Sequence, residues 1–272
     1  VLGALTALGP FTVDLYLPAF PQVEADLGVS VALVQLTLTA TMIGFGFGQL
    51  IVGPWSDRIG RRLPLILADM AALQPDLLGL QEVVYVMQQD RLIGAAGEGR
   101  YAVRRGWAGR PEYGNSLLAN EPLLATDAER LDLGLGRSAL RSLVGLPGGA
   151  RVLAAVTHLH HVVEAEAERD EQARQLIAWL DDAPQADVQV VVGDFNAEPR
   201  EATYARMLAA GYRSAYAEAN GAEPDVTWPS GLQAPAMDTD GDPGCLDYIW
   251  LRGRVRVASA RLAFAQPPPH PP

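Results

Sequence analysis

The hydrophobic pattern divides the chain into two unlike parts. Between Asp26 and Asp57 lie 30 consecutive residues without a charge, and about 20 apolar residues suffice for a helix to cross a bilayer, so residues 31–54 read as a membrane span. Residues 1–20 form a second stretch of spanning length, interrupted by Pro10, Asp14 and Pro18. The two predict a transmembrane hairpin with residues 21–30 as its turn. A signal peptide is the alternative for the first stretch, but it lacks a basic leading segment and a second span follows it. From Ala68 onward the pattern changes to short apolar runs and amphipathic segments. Residues 68–74 have helical composition, Pro75 breaks the run, and residues 77–83 are an apolar stretch of strand length with Glu82 near its end. Strands are expected over 151–158, 187–192, 246–251 and 255–264. A helix is expected over 164–180, where Ala173, Leu176, Ile177 and Leu180 share a face and Asp170 and Arg174 form an i,i+4 pair.

Composition follows the same division: residues 1–68 hold only Asp14, Glu24, Asp26 and Asp57 among the 32 acids, and Arg58, Arg61 and Arg62 among the 21 basic residues. The domains are therefore drawn at 1–67 and 68–272. A hydrophobic share of 49% with 19% charged residues excludes a disordered chain. The net charge of -11 argues against a protein that coats nucleic acid with a broad basic face, although a local basic cleft stays open. Cys245, the one cysteine, can make neither an internal disulfide nor a paired-cysteine metal site. The Arg58, Arg61 and Arg62 cluster places both ends of the hairpin on the cytoplasmic side. The expected location is thus the inner or plasma membrane, with the lipid bilayer engaged through residues 1–54 and the soluble domain facing the cytoplasm.

Polar groups gather at the ends of the expected strands, where a layered α/β fold brings them into one cleft. Glu82, Asp194 and Asp247 are carboxylates, Asn196 supplies an amide and His158 an imidazole. That mixture suits Mg²⁺, or Mn²⁺ in its place, beside a phosphate: the hard cation takes one or two carboxylates plus water and phosphate oxygens, and a carboxylate or imidazole positions the attacking water. Plainer readings stand beside these: Asn196 can cap the turn after its strand, Arg137 can be a solvated charge, and His160 and His161 read as neighbours rather than ligands. The run from Arg100 through Trp107 to Arg110 interleaves cations with aromatics and reads as a loop, either contacting nucleic acid or simply exposed.

Two resemblances emerge from the motifs. Gly53-Pro-Trp-Ser-Asp57-Arg58-Ile-Gly60-Arg61-Arg62 resembles the loop between helices 2 and 3 of the major facilitator superfamily, and Asp14-Leu-Tyr-Leu-Pro18-Ala-Phe-Pro21 is similar to the first helix end of its drug/proton antiporters. The resemblance implies gating roles for Asp57, Arg58, Arg61 and Arg62 and a coupling role for Asp14, whose alternative is a helix-end acid reaching interfacial water. A transporter of that family needs two six-helix halves, and only two spans are expected.

The second resemblance covers about residues 69–270. Leu80-Gln81-Glu82, Gly114-Asn115-Ser-Leu-Leu118, Arg137-Ser-Ala-Leu140, Thr157-His158-Leu159, Gly193-Asp194-Phe195-Asn196 and Asp247-Tyr248-Ile249 occur in the order of the endonuclease/exonuclease/phosphatase family, which shares the fold of deoxyribonuclease I. It implies a four-layer α/β/β/α sandwich, where composition and spacing alone give a two-layer α/β domain. It further implies Glu82 as metal ligand, His158 at the phosphate and Asp194 orienting or deprotonating the attacking water. Asn196 would hold a phosphate oxygen, Asp247 would orient a second histidine, and Asn115 and Arg137 would contact phosphate or cleft.

The family opens with a strand bearing a metal-site Asn and closes on a Ser-Asp-His strand. Neither is expected here, and His270 stands in a Pro-rich tail. The sandwich is thus expected to lack its first and last strands, with activity reduced or lost. Three readings follow: a metal-dependent phosphoesterase on a membrane hairpin, a transporter fragment, or a non-functional gene fusion. The substrate is a phosphate ester, with nucleic acid, a phosphoinositide-like head group and a small phosphodiester all open. No protein partner can be inferred.

Overall fold

In the computed structural model the described residues are 22, 26, 28, 30, 72–85, 101–120, 123–125, 127–229 and 242–263. The chain separates into two compact units, Val1–Arg61 and Arg62–Pro272. The expected hairpin, with Asp14, Asp57, Arg58, Arg61 and Arg62, lies outside the described residues. Among the described residues no helix is long and apolar enough to cross a membrane.

In the second unit the elements run β1 (Leu77–Val84), β2 (Tyr101–Ala108), β3 (Arg110–Asn120), β4 (Leu124–Ala125), β5 (Glu129–Gly134), β6 (Arg137–Gly145), β7 (Arg151–His158), α1 (Glu166–Asp181), β8 (Val188–Asp194), α2 (Ala202–Ala209), β9 (Arg213–Ser214), α3 (Ala215–Asn220) and β10 (Asp247–Gly253). They form two sheets. One has the order β1-β3-β2; the other has the order β4-β6-β7-β8-β10-β9, with β5 on β6. Pairing is antiparallel except for β7 with β8, which are parallel and joined through α1, as a parallel pair requires a long crossover.

The central strand β7 explains the layering. Its residues Val152 to His158 are buried, so it is covered on both faces. Ala154 and Val156 cluster with Leu117 and Ala119 of β3 and Leu140 and Val144 of β6, between the sheets. Leu153 and Ala155 cluster with Val191 of β8, with Ala173, Leu176 and Leu180 of α1 and with Met207 of α2. This alternation is the period-two pattern of a strand, and each large apolar side chain so buried contributes about 1.5–3 kcal/mol. The sheets approach closely at Gly79, where a Cβ would stand 2.1 Å from Val192 Cγ2. Arg169 of α1, 2% exposed, is satisfied by Glu201 Oε2 at 2.8 Å and by the Val163 carbonyl at 3.0 Å, which pins the helix start to the segment before α2.

The described layers are therefore helices, seven-stranded sheet and three-stranded sheet; the fourth layer that the resemblance implies lies outside the described residues. Three expectations are corrected. Within residues 100–110, Tyr101–Ala108 is not a loop: it pairs with β3 from Tyr101↔Asn120 to Trp107↔Gly114 as an edge strand. Residues 255–263 are not a strand. The chain leaves the sheet at Gly253 (φ 105), and this segment is held instead by Arg213 donating to the Val255 carbonyl, Val257 N–H donating to Glu218 and Asn220 donating to the Ala260 carbonyl. Asp170 and Arg174 do not pair: Arg174 binds Glu171 and Asp170 receives Arg206 of α2, which ties the helices together. Among the described residues no strand precedes β1 and none follows β10.

Candidate functional site

The site forms at one end of the two sheets, and strand register assembles most of it. Ser138 pairs with His158, His158 with Asp194, and Asp194 with Asp247. These four residues form one row across β6, β7, β8 and β10, with neighbouring strands about 4.8 Å apart. Residues in one row face the same side of a sheet, so His158, Asp194 and Asp247 converge on one cleft. Gly193 permits this, because a Cβ there would lie 2.2 Å from the Thr157 carbonyl oxygen. Phe195 then turns into the core, edge-on to Tyr248 and Trp250 at 5.9 and 6.1 Å, anchoring the segment that carries Asp194.

Glu82 enters from the opposite sheet. The β1–β3 register breaks between Leu80 and Val83, and Glu82 adopts φ 54, a left-handed conformation uncommon for a side chain of this type. A bulge of this kind re-aims a side chain, and here it brings Glu82 Oε1 to 3.7 Å from both Arg137 Nη1 and His158 Nδ1. Asn196 is also left-handed, at φ 48. Its N–H donates to Asp194 Oδ1 at 2.8 Å and its Nδ2 donates to the Leu159 carbonyl at 3.1 Å, so Asn196 shapes the turn that holds Asp194.

Arg137 begins β6. Its Nη1 lies 2.9 Å from both ring nitrogens of His158, and its Nη2 lies 2.8 Å from His161 Nδ1. His158 Nε2 stands 3.7 Å from Asp194 Oδ2. Burial, then the Arg137 charge and His161, hold the His158 imidazole down to about 3, so it is neutral at physiological pH. Asp194 is pushed above the usual carboxylate range by burial and then by the Asp247 charge. Burial also raises Asp247, against a stabilising hydrogen bond from Thr227. Thr227 Oγ1 donates to Asp247 Oδ2 at 2.8 Å and accepts from the N–H groups of Leu246 and Asp247 at 2.9 and 3.0 Å.

Of the residues singled out in the sequence, Glu82, Arg137, His158, Asp194, Asn196 and Asp247 come together. Asn115 is adjacent but occupied: it is 2% exposed and its Nδ2 donates to the Ser138 carbonyl at 2.8 Å, which braces the two sheets. Sequence reasoning missed Thr227, which carries no signal until β10 is placed beside it; His161, read in the sequence as a neighbour rather than a ligand, is placed by the reach of Arg137. Among the described residues no three His, Cys, Asp or Glu side chains are grouped tightly enough to hold a metal ion alone. The donor set still fits Mg²⁺: an accessible Glu82 carboxylate supplies an oxygen, with water and a phosphate for the remainder, whereas a zinc site would demand more nitrogen or sulfur.

The cleft thus has an acidic flank of Glu82, Asp194 and Asp247 and a cationic flank of Arg137 beside the neutral His158 imidazole, suited to binding a cation and an anion side by side. Comparison with known proteins gives the family and the fold. Residues 56–263 match the Endonuclease/Exonuclease/phosphatase family, and residues 2–73 match the Major Facilitator Superfamily. The chain is similar to the human Nocturnin catalytic domain with bound sulfate, at 26% identity and TM-score 0.58, over 70% of this chain and 73% of that one. It shares its fold with D. rerio TDP2 complexed with single-strand DNA product, at 20% identity and TM-score 0.58, over 71% of this chain and 76% of that one. Over 67 residues, 25% of this chain, it is 55% identical to the uncharacterized MFS-type transporter YdgK of Bacillus subtilis. The match spans 17% of that transporter's length.

Proposed function

Because residues 56–263 carry its signature across more than half of the chain, the chain belongs to the endonuclease/exonuclease/phosphatase family, and we propose that it is a Mg²⁺-dependent phosphoesterase. The observation that carries this reading is the register row of His158, Asp194 and Asp247, with Arg137 at one end and Glu82 facing it. Glu82 holds the cation, Mg²⁺ or Mn²⁺, which when bound supplies positive charge beside the phosphate oxygens. Arg137, a fork of donors suited to phosphate, binds the ester from the other side and is kept in place by His158 and His161. Neutral His158 has one ring nitrogen to accept from Arg137 and one ring N–H to donate to a phosphate oxygen. Asp194, whose carboxyl holds its proton more tightly than usual, is a better base for the attacking water than an ordinary aspartate. Asp247 sharpens that property through its charge, and Thr227 fixes Asp247. Asn196 sets the turn that carries Asp194.

The match over residues 2–73 supports a membrane attachment through residues 1–54, so the enzyme acts at a bilayer surface, on its cytoplasmic side. The test uses the full chain in detergent with bis(p-nitrophenyl) phosphate and p-nitrophenyl phosphate. Hydrolysis requires Mg²⁺, disappears with a chelator, and falls about 10²–10⁴-fold in Asp194→Ala, the range for loss of a positioned acid–base group. Glu82→Gln raises the Mg²⁺ concentration needed for half-maximal rate. Hydrolysis that survives chelation or is unchanged in Asp194→Ala overturns the proposal.

A further inference from the structure

Three of the four histidines, His158, His160 and His161, stand at or just beyond the end of β7, and their environments differ. His158 is buried and His160 half-buried, while His161 is exposed. The backbone around His161 is pinned on both sides. Leu159 N–H donates to the Asp194 carbonyl at 2.9 Å. His160 N–H donates at 2.8 Å to Oε1 of Gln172, a side chain 2% exposed whose Nε2 donates to the Leu133 carbonyl. Beyond His161, the Val163 carbonyl accepts from buried Arg169 at 3.0 Å. A segment held in this way fixes where the His161 side chain starts, and its Nδ1 reaches 2.8 Å from Arg137 Nη2.

A guanidinium only donates, and it keeps its charge. His161 Nδ1 is therefore the acceptor, and the contact exists only while that ring is neutral with its proton on Nε2. The charged and titratable groups around the pair are His158, His160, Glu82 of β1 and Asp194 of β8, the last two facing Arg137; Glu168 and Arg169 of α1 bear on His160. With His158 on Nη1 and His161 on Nη2, Arg137 stops 3.7 Å short of Glu82 Oε1, beyond hydrogen-bond reach. That gap leaves the carboxylate open to a cation and the guanidinium open to an anion.

We propose that His161 is a positioning residue that holds Arg137 off Glu82, and that a proton on His161 releases the guanidinium onto the carboxylate, so that the cleft loses affinity for a phosphate-like anion in acid. This rests on the phosphoesterase reading, in which Arg137 is the anion-binding group. Protonation sets two donors and two like charges 2.8 Å apart. Arg137 is 11% exposed and stays held by His158, so the exposed His161 ring is the partner that turns away, into water that screens its charge.

Calorimetric titration of the full chain in detergent with sodium sulfate, in the presence of chelator, at about pH 8 and about pH 5, the range in which histidine changes charge, tests it. Sulfate keeps both its charges over that range, and Asp194 and the other carboxylates titrate alike in wild type and in His161→Asn. The readout is thus the ratio of acid to alkaline affinity, compared between these two proteins. Asparagine places an amide oxygen where Nδ1 stands and takes up no proton. The ratio is about three- to tenfold lower in wild type than in His161→Asn, the scale of one hydrogen bond, and His161→Ala binds weakly at both pH values. Equal ratios in wild type and His161→Asn overturn the positioning role. So does a higher ratio in wild type, which means that the protonated ring stays and adds its charge to the site. Arg137→Ala separates the two readings. If it binds sulfate as tightly as wild type, or if wild type binds none, the anion cleft fails and the role of His161 with it; sulfate that needs Arg137 but gives equal ratios removes the role of His161 alone.

Discussion

The two flanks of the cleft are built by opposite means. On the acidic side, Asp194 and Asp247 are brought together by strand pairing; burial raises both above the ordinary range, and the Asp247 charge raises Asp194 further. On the cationic side, the single guanidinium of Arg137 bridges His158 and His161, and its charge adds to burial in holding His158 neutral. The acidic flank relieves its like charges by holding a proton on Asp194, while the cationic flank keeps one charge and suppresses a second. Like charges pushed together cost free energy that a bound counterion returns, so the difference marks the acidic flank as the place for a cation and Arg137 as the place for an anion.

Removing Arg137 breaks the comparison most strongly. Hydrogen bonds from a charged donor contribute about 1.5–3 kcal/mol, so Arg137→Ala lowers kcat/KM for a phosphate ester about 10–150-fold, mostly through KM. The same variant removes a positive charge beside His158, so the imidazole titrates at higher pH, and NMR titration of its ring protons reads that rise. Unchanged KM together with an unchanged His158 titration would leave the cationic flank without a function.

Thr227→Val addresses the acidic flank with a smaller effect. It deletes the hydroxyl that donates to Asp247 and accepts from two backbone N–H groups, at a cost of about 1–3 kcal/mol. The midpoint of chemical denaturation falls accordingly, Thr227→Ser restores it, and activity drops less than in Arg137→Ala. If Thr227→Val is as stable and active as wild type, Asp247 is positioned by the sheet alone.

The parts of this molecule differ in how far the amino-acid sequence discloses them. Strands β7, β8 and β10 are apolar runs ending in polar motifs, and α1 has one apolar face, so their existence follows from pattern alone. Strands β5 and β6 do not announce themselves, because Arg130, Asp132, Arg137 and Arg141 break the alternation. Arg141 is nevertheless 6% exposed, paired with Glu129 at 3.0 Å and stacked on Trp179 at 4.2 Å, a cation buried by partners far along the chain. The cleft carboxylates are legible because they sit at strand ends in a recognisable order. The bulge that turns Glu82 inward is not, since a left-handed glutamate has no local signal. Trp107 looked like part of an exposed loop because its strand is made by pairing with β3, and pairing is a tertiary fact.

The smallest and sharpest test sets the two flanks against each other through pH. His158 titrates near 3 in the fold and near 6.5 when unfolded, so below about pH 6.5 the unfolded chain takes up a proton that the fold refuses. Its contribution is fully present above that pH and is lost as pH falls toward 3, by about 1 kcal/mol between pH 6.5 and 5.5. Asp194 acts in the opposite sense. Its carboxyl is raised in the fold and ionises near 4 when unfolded, so the fold binds the extra proton and acidification from neutral pH stabilises it. In wild type the two slopes oppose each other between about pH 4 and 6.5, and stability changes little there. Because Asp247 is also raised by burial, the Asp194→Asn, Asp247→Asn double variant leaves the histidine alone, so denaturation midpoints fall steeply with acid over that window. His158→Gln leaves the carboxyl alone, and the midpoints rise with acid instead. Parallel pH profiles for the two variants would mean that the flanks do not carry the opposed protonation described here.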